Sequence, residues 1–237
     1  MRKIISGNEA IAIGAYRANA SFASGYPGTP SSEILEYTKT FEDIKVQWAS
    51  NEKSAFEQTL GSSIAGRRSF VTMKHVGLNV AADSLMSSSY TGVNAGFVVV
   101  VADDPGMHSS QNEQDTRLFA KFAQVPILEP SDAKEAMGFM QYAFSLSEEY
   151  DTPVILRSTT RVSHTQELVY FDMHKLGGME DKLLAKNISK YVLVPKNALL
   201  RHKKLLERNT KLQKLTNEIP LNKMEQGSLN VGIITSG

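Results

Sequence analysis

Glu52 is the residue of this 237-residue chain best placed to handle a proton. It stands in Trp48-Ala-Ser-Asn-Glu-Lys-Ser-Ala-Phe56, where a strand end turns into a helix, and Phe56, Leu60 and Ile64 follow it at intervals of four. Residues four apart lie on one helix face, so the spacing predicts Glu52 at the head of an apolar, core-facing stripe, with Lys53 and Glu57 off it. A carboxylate committed to a buried face needs a partner or takes up a proton, because loss of hydration raises its pKa. Proton-transferring groups behave in this way. A plainer account of the same position is an acid that complements the positive end of a helix. The residues alone leave both readings open.

Three polar loops add further groups. Gly25-Tyr-Pro-Gly-Thr-Pro-Ser-Ser32 holds two prolines and two glycines, with Thr29 just before Pro30. A turn that offers hydroxyls and free N–H groups at a helix start suits anions or polar substrate groups, and is equally an ordinary capped turn. Lys74-His-Val-Gly-Leu-Asn79 supplies His75 and Gly77, and Asp103-Asp-Pro-Gly-Met-His-Ser-Ser-Gln-Asn-Glu-Gln-Asp115 supplies Asp103, Asp104 and His108. The last loop is too long and too polar to be a mere connection. Either histidine by itself would more often be structural than catalytic.

These loops follow apolar strand candidates, Ser21–Tyr26, Val46–Ala49, Ser69–Met73, Phe97–Ala102, Val125–Glu129 and Val154–Ser158. Helical segments are predicted between them, at Asn8–Asn19, Pro30–Thr40, Asn51–Gly66, Leu78–Ser89, Asp115–Phe122 and Asp132–Glu149. Ser6-Gly-Asn-Glu9 is a capping box, and Pro30 and Asp132 are expected just inside helix starts. Near-continuous apolar strands alternating with helices predict an α/β fold, a doubly wound and mostly parallel sheet with helices on both faces. In such sheets ligands gather at the carboxyl ends of the strands, where the three loops and Glu52 converge.

The predicted division is an α/β domain over residues 1–170, a basic linker and helical extension over 171–230, and Val231–Gly237 as the first strand of a following, truncated domain. From Lys182 to Lys214 there are ten basic residues against the single acid Glu207, so the overall net charge of +1 hides a remainder near −8. Without aromatic interleaving or a recognised motif, this stretch reads as a solvated helix on an acidic body or a partner subunit, not as a nucleic-acid interface. An apolar fraction of 41% is that of a globular protein, and the longest apolar run, Phe97–Ala102, is too short to cross a bilayer. No export signal is read, and a cytoplasmic location is expected. The absence of cysteine excludes disulfides, thiolate catalysis and cysteine-held zinc or iron–sulfur clusters in this chain.

The motifs Gly25–Ser32, Asn51-Glu-Lys53, Met73–Asn79 and Val101–Asp115 occur in an order that resembles the thiamine-diphosphate-dependent 2-oxoacid:ferredoxin oxidoreductases. The likeness is closest to the alpha subunits of the indolepyruvate-using members, and it covers roughly Lys3 to Gln166. It implies the pyrimidine-binding domain of such an enzyme, in which Glu52 is the glutamate that hydrogen-bonds the ring nitrogen of the cofactor's aminopyrimidine and promotes its activation. Thr29 matches a threonine lining the substrate side of the cofactor, and Gly28 and Pro27 belong to the same turn. The implied reaction is oxidative decarboxylation of aryl pyruvates to aryl-acetyl-CoA with reduction of ferredoxin. Substrate-side candidates are Thr29 from the resemblance and, from the polar loops, His75, Gly77, Asp103, Asp104 and His108; His75, Lys74 or backbone N–H groups around Gly77 are the candidate partners for the substrate carboxylate.

Two departures limit what the chain does alone. Pyruvate-using relatives place an arginine for the substrate carboxylate after the strand equivalent to Phe97–Ala102, where this chain has Asp103 and Asp104; an aromatic 2-oxoacid is therefore expected. The magnesium-binding Gly-Asp-Gly motif that anchors the diphosphate is absent, so Mg2+ is expected in another domain, no metal ligand is assigned here, and the clusters lie in other parts of the complex. Expected partners are the remainder of the alpha subunit and a beta subunit in an oligomer, with ferredoxin and CoA, and the chain alone is expected to be inactive. A stand-alone pyrimidine-domain subunit and a non-catalytic domain of the same fold are the alternatives.

Overall fold

The computed structural model describes residues 1–176, 182–184, 186–228 and 230–235. Along the chain the strands are β1 (Arg2–Ser6), β2 (Phe22–Gly25), β3 (Lys45–Trp48), β4 (Ser69–Lys74), β5 (Phe97–Asp103), β6 (Ile127–Leu128), β7 (Val154–Thr159) and β8 (Gln166–Tyr170). The helices are α1 (Gly7–Arg17), α2 (Ser32–Thr38), α3 (Glu52–Ile64), α4 (His75–Val80), α5 (Ala82–Thr91), α6 (Thr116–Ala123), α7 (Ala133–Tyr150), α8 (Thr160–His164), α9 (Ile188–Tyr191) and α10 (Pro195–Glu218).

Six strands pair in parallel in the order β3-β2-β4-β5-β7-β6. Side chains alternate across a strand, and here each alternate set meets its own helical layer. Phe70, Val98, Val100, Val154 and Leu156 pack with Ile11, Ile34, Leu35, Met140 and Phe144, from α1, α2 and α7. Val71, Met73, Phe97, Val99, Val101 and Ile155 pack with Phe56, Leu78, Leu85 and Ala120, from α3, α4, α5 and α6. Burial on both faces is why the strands read as unbroken apolar runs. The expected doubly wound sheet is thus present.

Some boundaries differ. The expected helix Leu78–Ser89 is two helices, α4 starting directly after β4 and α5 starting after Ala81, whose backbone (φ −90°, ψ 5°) leaves the helical region. Pro30 lies ahead of α2 and follows a cis peptide bond, while Asp132 is the cap of α7, its side chain accepting the Glu135 N–H at 2.7 Å. The capping box at Ser6 and Glu9 is present on α1. β1 and β8 form a separate antiparallel pair that the hydrophobic pattern did not announce, because Ile5 and Val169 alone among their residues are buried.

The basic segment folds as α9 and α10, and α10 docks by its arginines. Arg201 Nε donates to the Tyr90 carbonyl at 2.6 Å and its Nη2 to Asp151 Oδ2 at 2.8 Å; Arg208 Nη2 donates to the Ser89 carbonyl at 2.6 Å and its Nη1 to the Asp151 carbonyl at 2.9 Å. The carbonyls of the last helical turn lack intrahelical partners and carry the negative end of the helix dipole. The seat of this basic helix is therefore the C-terminus of α5 with Asp151. Burial, partly opposed by Asp151, lowers the Arg208 guanidinium to about 10, so it is charged at neutral pH. Beyond α10, residues 231–235 form no strand and Val231, Ile233 and Ile234 are exposed, while residues 236 and 237 lie outside the described residues. The strand expected from Val231 is accordingly not formed over 231–235, where these apolar side chains have no second layer to cover them. No described helix is long and apolar enough to cross a membrane.

Candidate functional site at the strand ends

From β2 the chain passes to β3 on one side and then crosses to β4 on the other, so the sheet reverses direction between β2 and β4. The carboxyl ends of two such strands splay apart and leave a crevice for ligands. Register sets Gly25 level with Trp48 and Thr72, and Lys74 level with Ala102, so the turn after β2, the start of α3 and the start of α4 share one edge.

Glu52 is the first residue of α3, whose cap is Asn51, accepting the Ser54 N–H at 2.8 Å. The buried face of α3 consists of Ala55, Phe56, Thr59 and Ser63, while Leu60, Ile64 and Glu52 are only half-buried. This corrects the expected stripe. Each step of four residues overshoots a full turn by about 40°, so an i, i+4, i+8 series spirals away from the core. The Glu52 carboxylate makes no hydrogen bond among the described residues. It rests instead against Gly77 of α4: a Cβ on Gly77 would lie 2.6 Å from Glu52 Oε1 and 2.7 Å from its Cγ. Gly77 is thus glycine because the carboxylate occupies the side-chain position.

The turn after β2 is internally braced. Gly28 N–H donates to Ser32 Oγ, Ser31 N–H and Ser31 Oγ both donate to the Gly28 carbonyl, each at 2.8 Å, and the buried Asn8 donates to the Pro30 carbonyl. Pro27 and Thr29 project to the surface, and the Thr29 hydroxyl makes no hydrogen bond within the described chain.

The loop between β5 and α6 is strapped over this edge. Lys74 Nζ donates to the Ser109 carbonyl at 2.7 Å, and His75, 1% exposed, pairs its Nε2 with the Asn112 carbonyl at 3.0 Å. Nε2 donates that bond, and the buried Nδ1 has no hydrogen-bond partner among the described residues. The Asp104 carboxylate accepts from the N–H groups of His108 and Ser109 and the hydroxyls of Ser110 and Thr160. Burial would raise its pKa, but these four hydrogen bonds favour the anion more strongly and hold it well below the usual carboxylate range. Asp103 is fully buried and accepts from Thr116 N–H at 3.0 Å, from the Thr116 hydroxyl, and from Arg157 Nε at 2.7 Å. Arg157 also pairs with Glu129.

The structure therefore brings Thr29, Glu52, His75 and Gly77 to the crevice, and turns Asp103 and Asp104 inward as partners of protein groups. His108 lies on the exposed loop next to a second cleft. Arg157 was not singled out from the sequence; its signal was a cation within Val-Ile-Leu-Arg-Ser-Thr, a strand otherwise buried on both faces, where a charge requires a partner. Among the described residues no three His, Asp or Glu side chains converge as a metal site.

Residues 13–225 match the family described as pyruvate flavodoxin/ferredoxin oxidoreductase, thiamine diphosphate-binding. Over its whole length the chain is 46% identical to indolepyruvate oxidoreductase subunit IorA of Pyrococcus abyssi, of which it spans 38%. It is 27% identical to ketoisovalerate oxidoreductase subunit VorB of Methanothermobacter thermautotrophicus, over 71% of this chain and 51% of that one. The fold matches that of 2-oxoglutarate:ferredoxin oxidoreductase from Magnetococcus marinus, with a TM-score of 0.71 and 18% identity, covering 90% of this chain and 45% of that chain. The chain belongs to the thiamine-diphosphate-binding family of the pyruvate flavodoxin/ferredoxin oxidoreductases.

Proposed function

We propose that this chain is the pyrimidine-binding part of an indolepyruvate-type 2-oxoacid:ferredoxin oxidoreductase, and that Glu52 is the group through which it acts on the cofactor. The observation that carries the reading is the carboxylate of Glu52: held against Gly77 at the switch point of the sheet, half-buried, with no hydrogen bond among the described residues. A carboxyl group in that state fits the ring nitrogen of an aminopyrimidine. Thiamine diphosphate, when bound, supplies a carbon acid that stabilises the charge left by loss of carbon dioxide from a 2-oxoacid. Glu52 holds the proton shared with the ring, Thr29 offers its unengaged hydroxyl beside the reacting centre, and Pro27 and Gly28 shape the wall of the turn. His75 and Lys74 fix the loop that closes the edge.

An aryl pyruvate is the favoured substrate. The relative named for indolepyruvate is 46% identical, against 27% for the one named for ketoisovalerate. The diphosphate anchor with its Mg2+, the iron–sulfur clusters, and the sites for CoA and ferredoxin belong to the remainder of the alpha subunit and to a beta subunit. Docking of α10 through Arg201 and Arg208 keeps the basic extension against the α/β domain. Residues 171–230 act in this reading as a connector, and Val231 begins the next domain.

Calorimetry with thiamine diphosphate and magnesium tests the reading. The chain mixed with the rest of the enzyme binds the cofactor, and the chain alone does not. Replacing Glu52 by Gln lowers turnover about 10²- to 10⁴-fold, the range for a lost acid–base group. Tight binding by the chain alone, or full turnover with Gln at position 52, refutes it.

A further inference from the structure

A second cleft, of about 630 Å³, opens at the carboxyl end of β7, on the same edge of the sheet as the Glu52 crevice. Its walls include His108, Arg117, Glu129, Arg157, Arg161 and His164. With two strands, β5 and β7, beyond β4, it lies about 10 Å along the edge from the crevice. The two sites are physically joined: Ser109, held by Lys74, reaches the Thr29 carbonyl, and His164 Nε2 lies 3.9 Å from Glu33 in the first turn of α2.

The charges in this cleft are unevenly matched. Arg157 is paired with Asp103 and Glu129, and Arg117 with Asp115, while its Nη1 lies 3.8 Å from Glu129. Those carboxylates are therefore already neutralised. The hydroxyls of Thr159 and Thr160 are engaged with the Val162 N–H and with Asp104. Arg161 differs. It lines the cleft from α8, exposed, its guanidinium with no carboxylate in ion-pair reach and no hydrogen bond among the described residues. The ring of His108 likewise has no partner among them.

We propose that Arg161, flanked by His108 and His164, binds a phosphate, the anionic end of a substrate whose reacting end lies in the crevice. A guanidinium presents a planar fork of donors that matches a phosphate, and the cleft has the size of a small-molecule site. In the functional reading above, the phosphate belongs to the nucleotide tail of the acyl acceptor, since the carboxylate of an aryl pyruvate is bonded to the reacting carbon and does not span about 10 Å. The binding test does not depend on that reading, because it needs no turnover.

The test follows the ring signals of His108 and His164 by NMR in the 237-residue chain. Sodium phosphate and phenylpyruvate are titrated separately at constant ionic strength, with sodium chloride as control. Phosphate gives a saturable shift in the native chain, and Arg161→Gln weakens it at least about tenfold, the loss of one charged hydrogen-bonding partner. The melting temperature is unchanged, since the Arg161 side chain makes no bond among the described residues. Saturation by phosphate and not by phenylpyruvate assigns the cleft to a phosphorylated substrate, and saturation by phenylpyruvate alone overturns the proposal. Shifts no larger than those with chloride, or the same affinity in Arg161→Gln, overturn the proposal.

Discussion

Gly77→Ala separates the position of Glu52 from the stability of the fold. The new methyl group would stand 2.6, 2.7 and 2.9 Å from Glu52 Oε1, Cγ and Cδ. Ordinary contact between such atoms begins near 3.5 Å, so the carboxyl group must retreat by about 1 Å. The cost to folding is small: an off-rotamer glutamate costs about 0.5–1.5 kcal/mol. Alanine in place of a helical glycine returns up to about 1 kcal/mol. The net change stays within about 1 kcal/mol, a shift in Tm of no more than about 4 °C. A displacement of about 1 Å at a reacting group lowers turnover about 10²-fold. The assay is kcat of the complete enzyme beside a thermal melt, for Gly77→Ala, Glu52→Gln and the double variant. If the methyl group acts by moving Glu52, the double variant is no slower than Glu52→Gln alone. Full turnover in Gly77→Ala, or losses that multiply in the double variant, refutes the argument.

Glu52→Gln leaves urea stability unchanged, because the carboxylate has no hydrogen-bond partner among the described residues to lose; a clear loss would restore the account in which Glu52 serves the helix terminus. Arg201→Ala removes a partner from two carbonyls of α5 and one from Asp151, which keeps Lys190 and the Val93 N–H, lowers stability by about 1–3 kcal/mol, and raises hydrogen exchange selectively in α10. Asp104 has a folded-state pKa below its unfolded value, so its contribution is complete above the unfolded value near 3.8 and is lost as the pH falls below it toward the folded value. The stability gap between the native chain and Asp104→Asn, read from urea midpoints, is accordingly widest near pH 7 and narrows below about pH 4; a gap constant down to pH 2 contradicts this assignment.

The sheet was legible because burial on both faces writes itself as apolar runs, as in Phe97–Val101. β1 and β8 were not, since a strand pair with a single buried residue on each side has almost no periodic pattern. The position of Glu52 at the strand ends could be read from its place after β3, but its surroundings could not. Spacing alone put it at the head of the α3 stripe, and only the packing of α4 shows that its neighbour is Gly77. Asp103 and Asp104 read as site carboxylates because nothing local reveals a partner 54 residues away in Arg157 or 56 residues away in Thr160. The docking of α10 was half visible: its charge was plain, but its seat is a row of main-chain oxygens, which no sequence displays.

The bonds from Lys74 and His75 to the β5–α6 loop end on the carbonyls of Ser109 and Asn112, not on their side chains. Main-chain carbonyls are common to every residue, so Lys74 and His75 can hold this loop whatever stands at positions 109 and 112. At these two positions the path of the loop is uncoupled from the side chain, whereas Asp104, Ser110 and Gln114 hold it through theirs. Substitutions at positions 109 and 112 change the side chains beside the crevice while these two anchors stay in place, so under the proposed function they are where an engineer would begin to change substrate preference.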